Sequence, residues 1–171
     1  MKHIKLFENF KDNFKNHFID GKYLYHYTLV DNMDSIDKEG LIPNKNPNYK
    51  KGINAVFLTN KSSLSKANLP SDLISRYEEF YNEFYEDDED FNTESIDNED
   101  RPIIRLTIDV TDLNFKLFFP DDDYMLNLYG WNKATTFEEQ LIESLDIWGS
   151  IAYKGIISPD NIVDQDFDYF S

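Results

Sequence analysis

Cysteine is absent from the 171 residues, which removes disulfide frameworks, thiolate nucleophiles and cysteine-ligated zinc at one stroke. The soft metal ligands that remain are three scattered histidines, and His3 and His17 have no metal-ligand spacing, so no metal is expected. Positive charge is also scarce. Seventeen Lys and Arg against thirty-three Asp and Glu leave a net charge of -16 and a pI near 4.4, which argues against an electrostatic footprint on nucleic-acid phosphates or anionic lipid. No apolar run approaches the roughly 18 residues of a membrane-spanning helix. The opening MKHIKLFENF lacks the continuous apolar core of a signal peptide, and the expectation is a cytoplasmic protein that avoids membranes. GxGxxG, GxxxxGK[ST] and HExxH are missing too, so neither of the common phosphate cradles nor a zinc-protease helix is available.

What the chain does contain is a core. Its 40% hydrophobic and 16% aromatic content excludes general disorder, and its length fits one domain. The charge is unevenly spread: residues 86–100, EDDEDFNTESIDNED, hold nine acids and no base, leaving only -7 on the rest of the chain. Such a block cannot bury enough surface to offset its ordering entropy, and it reads as a mobile insertion. A DNA-mimicking segment that occupies a basic partner is the sharper alternative. Neither an internal repeat nor a Gly/Ser or Pro linker interrupts the chain.

Periodicity assigns the elements. Ile4, Phe7, Phe10, Phe14 and Phe18 recur at helical spacing, giving an amphipathic helix within 1–21 that Gly21 ends, ahead of a single domain at 22–171. The phenylalanines fit packing onto that domain or a docking role. YLYHYT at 23–28 reads as a strand with Leu24, His26 and Thr28 on one face and the tyrosines on the other. Thr28 with Asp31 has capping-box spacing, and a short helix follows until Gly40. NAVFLT at 54–59 and residues 104–110 read as strands, and LNFKLFF at 113–119 as a continuation of the sheet before a turn at Pro120. Leu73, Tyr77, Phe80, Tyr81 and Phe84 mark another helix, Thr136 with Glu139 a second capping box, and 150–157 a final strand closed by the turn Ser158-Pro159-Asp160-Asn161. Elements mixed in this irregular order indicate an α+β fold.

One stretch carries more than structure. YLYHYTLVDNMDSIDKEGLIP, residues 23–43, joins a strand bearing His-x-Thr to a helix with a Gly-Leu-x-Pro stop, and it resembles the first motif of the ADP-ribosyltransferase superfamily. The resemblance implies that His26 holds a ribose hydroxyl of NAD, that the backbone of Tyr27 clamps the nicotinamide amide, and that Thr28 is the small hydroxyl beside them. Ala55-Val56-Phe57-Leu58-Thr59, followed by Ser62 and Ser65, is similar to the family's second stretch. Phe57 then takes the position of the ring that stacks on nicotinamide, and Ser65 that of the serine that bonds its amide. Leu69 stands where some members carry a second stacking tyrosine. The third motif departs from the pattern: members place a glutamate near the start of a late strand, and GSIAYKGIISP at 149–159 offers Gly149 or Ser150 there. Asp146 and Glu143 are the nearest upstream carboxylates, and Glu143 is the candidate acid.

The resemblance covers a little over a third of the chain and implies a split β-sheet core with flanking helices, NAD as substrate, and transfer of ADP-ribose to a macromolecule. An acidic surface favours a protein target over nucleic acid, with Lys45, Lys50 and Lys51 as a local basic exception. The residues by themselves leave other roles open. His26 fits a satisfied structural imidazole, Thr28 a helix cap, Phe57 a core residue and Glu143 a solvated helix face. MKHIKLFENF also resembles leader segments on proteins of bacteriophages with low-GC genomes. The competing expectation is therefore a virion-associated or host-takeover binding protein with a degenerate pocket, plugged by Tyr129 or Trp131.

Overall fold

The computed structural model describes residues 12–45, 54–61, 102–121 and 136–167, together with 73, 75, 78 and 79. Among the described residues seven strands form one sheet: β1 (Tyr23–Leu29), β2 (Asn44–Lys45), β3 (Asn54–Thr59), β4 (Ile103–Asp109), β5 (Phe118–Pro120), β6 (Ser150–Tyr153) and β7 (Ile162–Asp166). The spatial order is β5-β6-β3-β1-β4-β7, every pairing is antiparallel, and β2 adds to the start of β3. Among the described residues the helices α1 (Met33–Glu39) and α2 (Phe137–Glu143), with further helical residues at 12–15 and at 73, 75, 78 and 79, complete an α+β architecture.

The strands form where β-branched and aromatic residues are concentrated, alternating with polar ones in β4 and continuous in β3, because a pleated strand sends neighbours to opposite faces and both can be covered. Leu24 on β1, Val56 and Leu58 on β3, Ile104, Leu106 and Ile108 on β4, and Ile151 and Tyr153 on β6 build the main core on one face. Phe14 and Phe18 join it, with ring centroids 5.0 Å apart and further edge and tilted contacts to Phe115 and Phe118. The packing role read for the N-terminal phenylalanine stripe thus holds for these two, while Ile4, Phe7 and Phe10 lie outside the described residues. The opposite face carries a smaller cluster of Tyr27, Ile103 and Leu73, with Tyr25, Leu29 and Phe167 against it.

Several expectations need correction. Among the described residues the helix containing Phe14 ends at Lys15 and gives way to turns, short of Gly21, which itself sits in a turn with φ 71°. Thr28 and Asp31 form no capping box. The chain leaves β1 through a 3-10 turn (Val30–Asn32) held by Val30 N–H donating to Pro102 O, so the N-cap of α1 moves to Asn32, and Thr28 Oγ1 instead accepts from Asn32 Nδ2 at 3.0 Å. Residues 113–119 are not one strand: Asn114 caps a 3-10 turn (Phe115–Leu117) before β5 begins, and Pro120 belongs to β5. The late strand stops at Tyr153, after which Ile157 makes an isolated bridge to Leu41. β7, which the sequence pattern did not suggest, pairs with β4 as an edge strand. The second capping box does form, with Thr136 and Glu139 exchanging both bonds. Residues 86–100, Ser65, Leu69, Tyr129 and Trp131 lie outside the described residues.

Gly40 shows why a glycine ends α1. Its φ is 78°, and a Cβ there would stand 2.1 Å from the carbonyl oxygen of Ile157. That close approach seats Leu41 against Ile157, with each N–H donating to the other's carbonyl.

Candidate functional site

The sheet opens beside His26. β1 and β4 are paired without interruption from Tyr23↔Asp109 to Leu29↔Ile103, whereas β1 and β3 share the single pair Tyr25↔Thr59. Where the next β1–β3 rung would form, a side chain intervenes: His26 Nδ1 lies 2.9 Å from Phe57 O. A carbonyl only accepts, so Nδ1 carries the proton and donates. Burial lowers the imidazole pKa below its ordinary 6.5 and outweighs the bond to the Phe57 carbonyl, which raises it. The ring is therefore neutral near pH 7, with Nε2 as its acceptor and with no second hydrogen-bond partner among the described residues.

Tyr27 is buried and faces the other side of the sheet, packed on Leu73 and Ile103. Its hydroxyl donates to Lys61 O at 3.2 Å, and desolvation pushes its pKa up to about 12 against the lowering influence of Arg105. Arg105 in turn lies over the Tyr25 ring, 4.6 Å from its centroid, and pairs with Asp166 across β4 and β7. Thr28 is nearly buried, its hydroxyl taken by Asn32.

The strand period separates two residues that the resemblance places on one ligand. His26 is opposite Leu106 and shares that core face with Val56 and Leu58. Phe57 lies between Val56 and Leu58 on its strand and opposite Ala152, so its half-buried ring leaves from the reverse face. What joins Phe57 to His26 is its carbonyl rather than its ring. Glu143 is the last residue of α2, and among the described residues no hydrogen bond or ion pair joins it to His26, Tyr27 or Thr28. Asp146, the other upstream acid, is paired with His17 at 2.7 Å.

A carboxylate nonetheless stands at the head of β6. Ser150 Oγ donates to Asp121 Oδ2 at 2.8 Å, Asp121 N–H donates to Ser144 Oγ at 2.9 Å, and Ser144 Oγ donates to Ser150 O at 2.6 Å. Asp121 is 7% exposed and Ser144 is fully buried. This closed network ties the end of β5, the π-helical turn Ser144–Trp148 and the start of β6 together. No sequence signal marks Asp121, since twenty-nine residues separate it from Ser150. Among the described residues no group of three or more His, Asp or Glu is arranged to hold a metal, and no helix is long and apolar enough to cross a membrane. No family model, curated protein or solved structure matches the chain.

Proposed function

We propose that the protein is an NAD-dependent mono-ADP-ribosyltransferase acting on a macromolecular target, a protein in preference to nucleic acid. The observation that carries this reading is the opening between β1 and β3, with a neutral imidazole fixed at its edge. A histidine whose Nδ1–H is committed to a carbonyl offers Nε2 as an acceptor, which suits a ribose hydroxyl. Backbone of Tyr27, the next residue, is the amide clamp in this reading, Thr28 flanks it, and Ser65 completes the amide contacts. Phe57 contributes the carbonyl that orients His26, while its ring leaves from the reverse face of the sheet.

The chemistry asks little of the protein beyond binding and charge. The bond from C1′ of the ribose to the nicotinamide nitrogen breaks, and its electron pair leaves with neutral nicotinamide. The resulting oxocarbenium-like C1′ is captured by a nucleophile of the target, which then loses its proton. A carboxylate near C1′ stabilises the developing positive charge, and preorganised charge of that kind typically contributes about 10²–10³ in rate. Glu143 and Asp121 are the two candidate acids. Glu143→Gln and Asp121→Asn therefore separate them by the loss of turnover.

The second reading, a binding protein with a degenerate site, draws on one observation: the His26 and Phe57 rings lie on opposite faces of the sheet. The thermal midpoint with and without millimolar NAD decides between the two, since a ligand that binds only the folded state stabilises it by about 1.4 kcal/mol at ten times Kd and so raises the midpoint. A rise that His26→Ala abolishes is the expected result. No rise in a folded wild type removes the enzyme reading.

A further inference from the structure

Lys61 is held more firmly than a surface lysine. Its N–H donates to Thr59 Oγ1 at 3.1 Å and its carbonyl accepts from the Tyr27 hydroxyl at 3.2 Å, so the backbone is fixed from both sides. The stem is fixed as well. It lies on the bare face of Gly149, where a Cβ would stand 2.3 Å from Cε, 2.7 Å from Cδ and 3.0 Å from Cγ. Gly149, with φ 69°, closes the π-helical turn just before β6, a conformation that favours glycine. Lys61 therefore ties the turn after β3, which the Tyr27 hydroxyl reaches from β1, to the head of β6.

A lysine side chain ordinarily keeps about 2 kcal/mol of rotamer entropy that a ligand must overcome. Here much of that freedom is already lost. Yet in a chain with thirty-three Asp and Glu, no carboxylate among the described residues pairs with the Lys61 ammonium. A preorganised cation without an acidic partner, beside an opening in an otherwise acidic protein, is suited to an anion that brings its own charge.

We infer that Lys61 binds the diphosphate of the dinucleotide, an inference that rests on the NAD reading of the β1–β3 opening. The ammonium acts as a point charge on the phosphate oxygens, and Gly149 sets its direction. A purely structural role is the competing account, because a cation near the end of a helical turn also complements its carbonyl dipoles.

Calorimetric titration of the full-length protein with inorganic pyrophosphate tests the site directly. Wild type is expected to bind, Lys61→Gln to bind about tenfold more weakly, the loss typical of one charge-assisted hydrogen bond, and Lys61→Arg to retain most of the affinity. ADP-ribose should follow the same pattern, and nicotinamide alone should bind both variants as it binds wild type. No pyrophosphate binding by wild type, or equal binding by Lys61→Gln, overturns the inference. So does a Lys61→Gln protein that melts lower yet keeps its pyrophosphate affinity, which would assign Lys61 to the helix end. The two proposals fail separately. Pyrophosphate bound through Lys61 without any NAD-induced rise in midpoint sinks the NAD reading and leaves Lys61 as a diphosphate site for another ligand, whereas a His26-dependent NAD rise unaffected by Lys61→Gln sinks the Lys61 inference alone.

Discussion

The two flanks of β1 are built differently. Toward β4, all seven residues of the strand are paired, and the facing side chains Ile104, Leu106 and Ile108 are no more than 2% exposed. Toward β3 there is one backbone pair, and beyond it the contacts are made by side chains: the His26 imidazole on Phe57 O and the Tyr27 hydroxyl on Lys61 O. A ladder holds a strand by repetition, so it tolerates most single changes in polar groups. A flank held by individual side chains depends on each of them. The same seven residues thus form a continuous ladder on one side and point contacts on the other, where the proposed site would lie.

Core substitutions on either flank test that contrast with the largest effect. Leu106→Ala removes a fully buried side chain opposite His26 and should cost about 2–5 kcal/mol. Phe57→Ala, though it deletes a larger side chain, should cost less than about 2 kcal/mol because the ring is only half-buried. Denaturant unfolding at fixed pH measures both. Equal losses would mean that β3 is packed as tightly as β4 and that the opening is closed in solution.

Tyr27→Phe addresses the open flank through its tether. It deletes the hydroxyl that reaches Lys61 and also meets the Arg105 guanidinium, and leaves the ring against Leu73 and Ile103, so the expected cost is about 1–2 kcal/mol. Hydrogen exchange at residues 60 and 61 should accelerate while β4 stays protected. Slower or unchanged exchange there would show that the tether does not hold the turn after β3.

The parts of this design that sequence could deliver are those set by local periodicity. The residues of β4 alternate, β3 shows instead as a short apolar run between polar turns, and the boundaries of NAVFLT coincide with β3. Two pairs of residues with identical capping spacing show where such reading ends. Thr136 and Glu139 form their box, whereas Thr28 and Asp31 do not, because Thr28 remains in β1 and the Val30–Pro102 bond draws the chain into a 3-10 turn first. That bond depends on a residue more than seventy positions away. β7, IVDQD, escaped notice because an exposed edge strand needs only one apolar flank, and its charges resemble those of a loop. The site is less legible still. His-x-Thr marks His26, but its bond to Phe57, the separation of their rings and the placing of Asp121 beside Ser150 all follow from register, which no single segment encodes.

The smallest predicted effect bears on the most important atom. His26 in the folded protein binds protons less readily than in the unfolded chain, because burial lowers its pKa below 6.5. The unfolded state therefore takes up protons first on acidification, and stability, fully present above the unfolded pKa, declines as the pH falls through 6.5. Between pH 7 and pH 6 the unfolded imidazole is only partly protonated, so the loss in that window is under about 1 kcal/mol. His26→Gln keeps a donor for Phe57 O but does not titrate, and its unfolding free energy should change less with pH across the same window. Identical slopes in the two proteins would mean that the folded ring titrates as it does unfolded. Nε2 would then carry a proton through part of the physiological range and donate rather than accept, which removes the basis for assigning it a ribose hydroxyl.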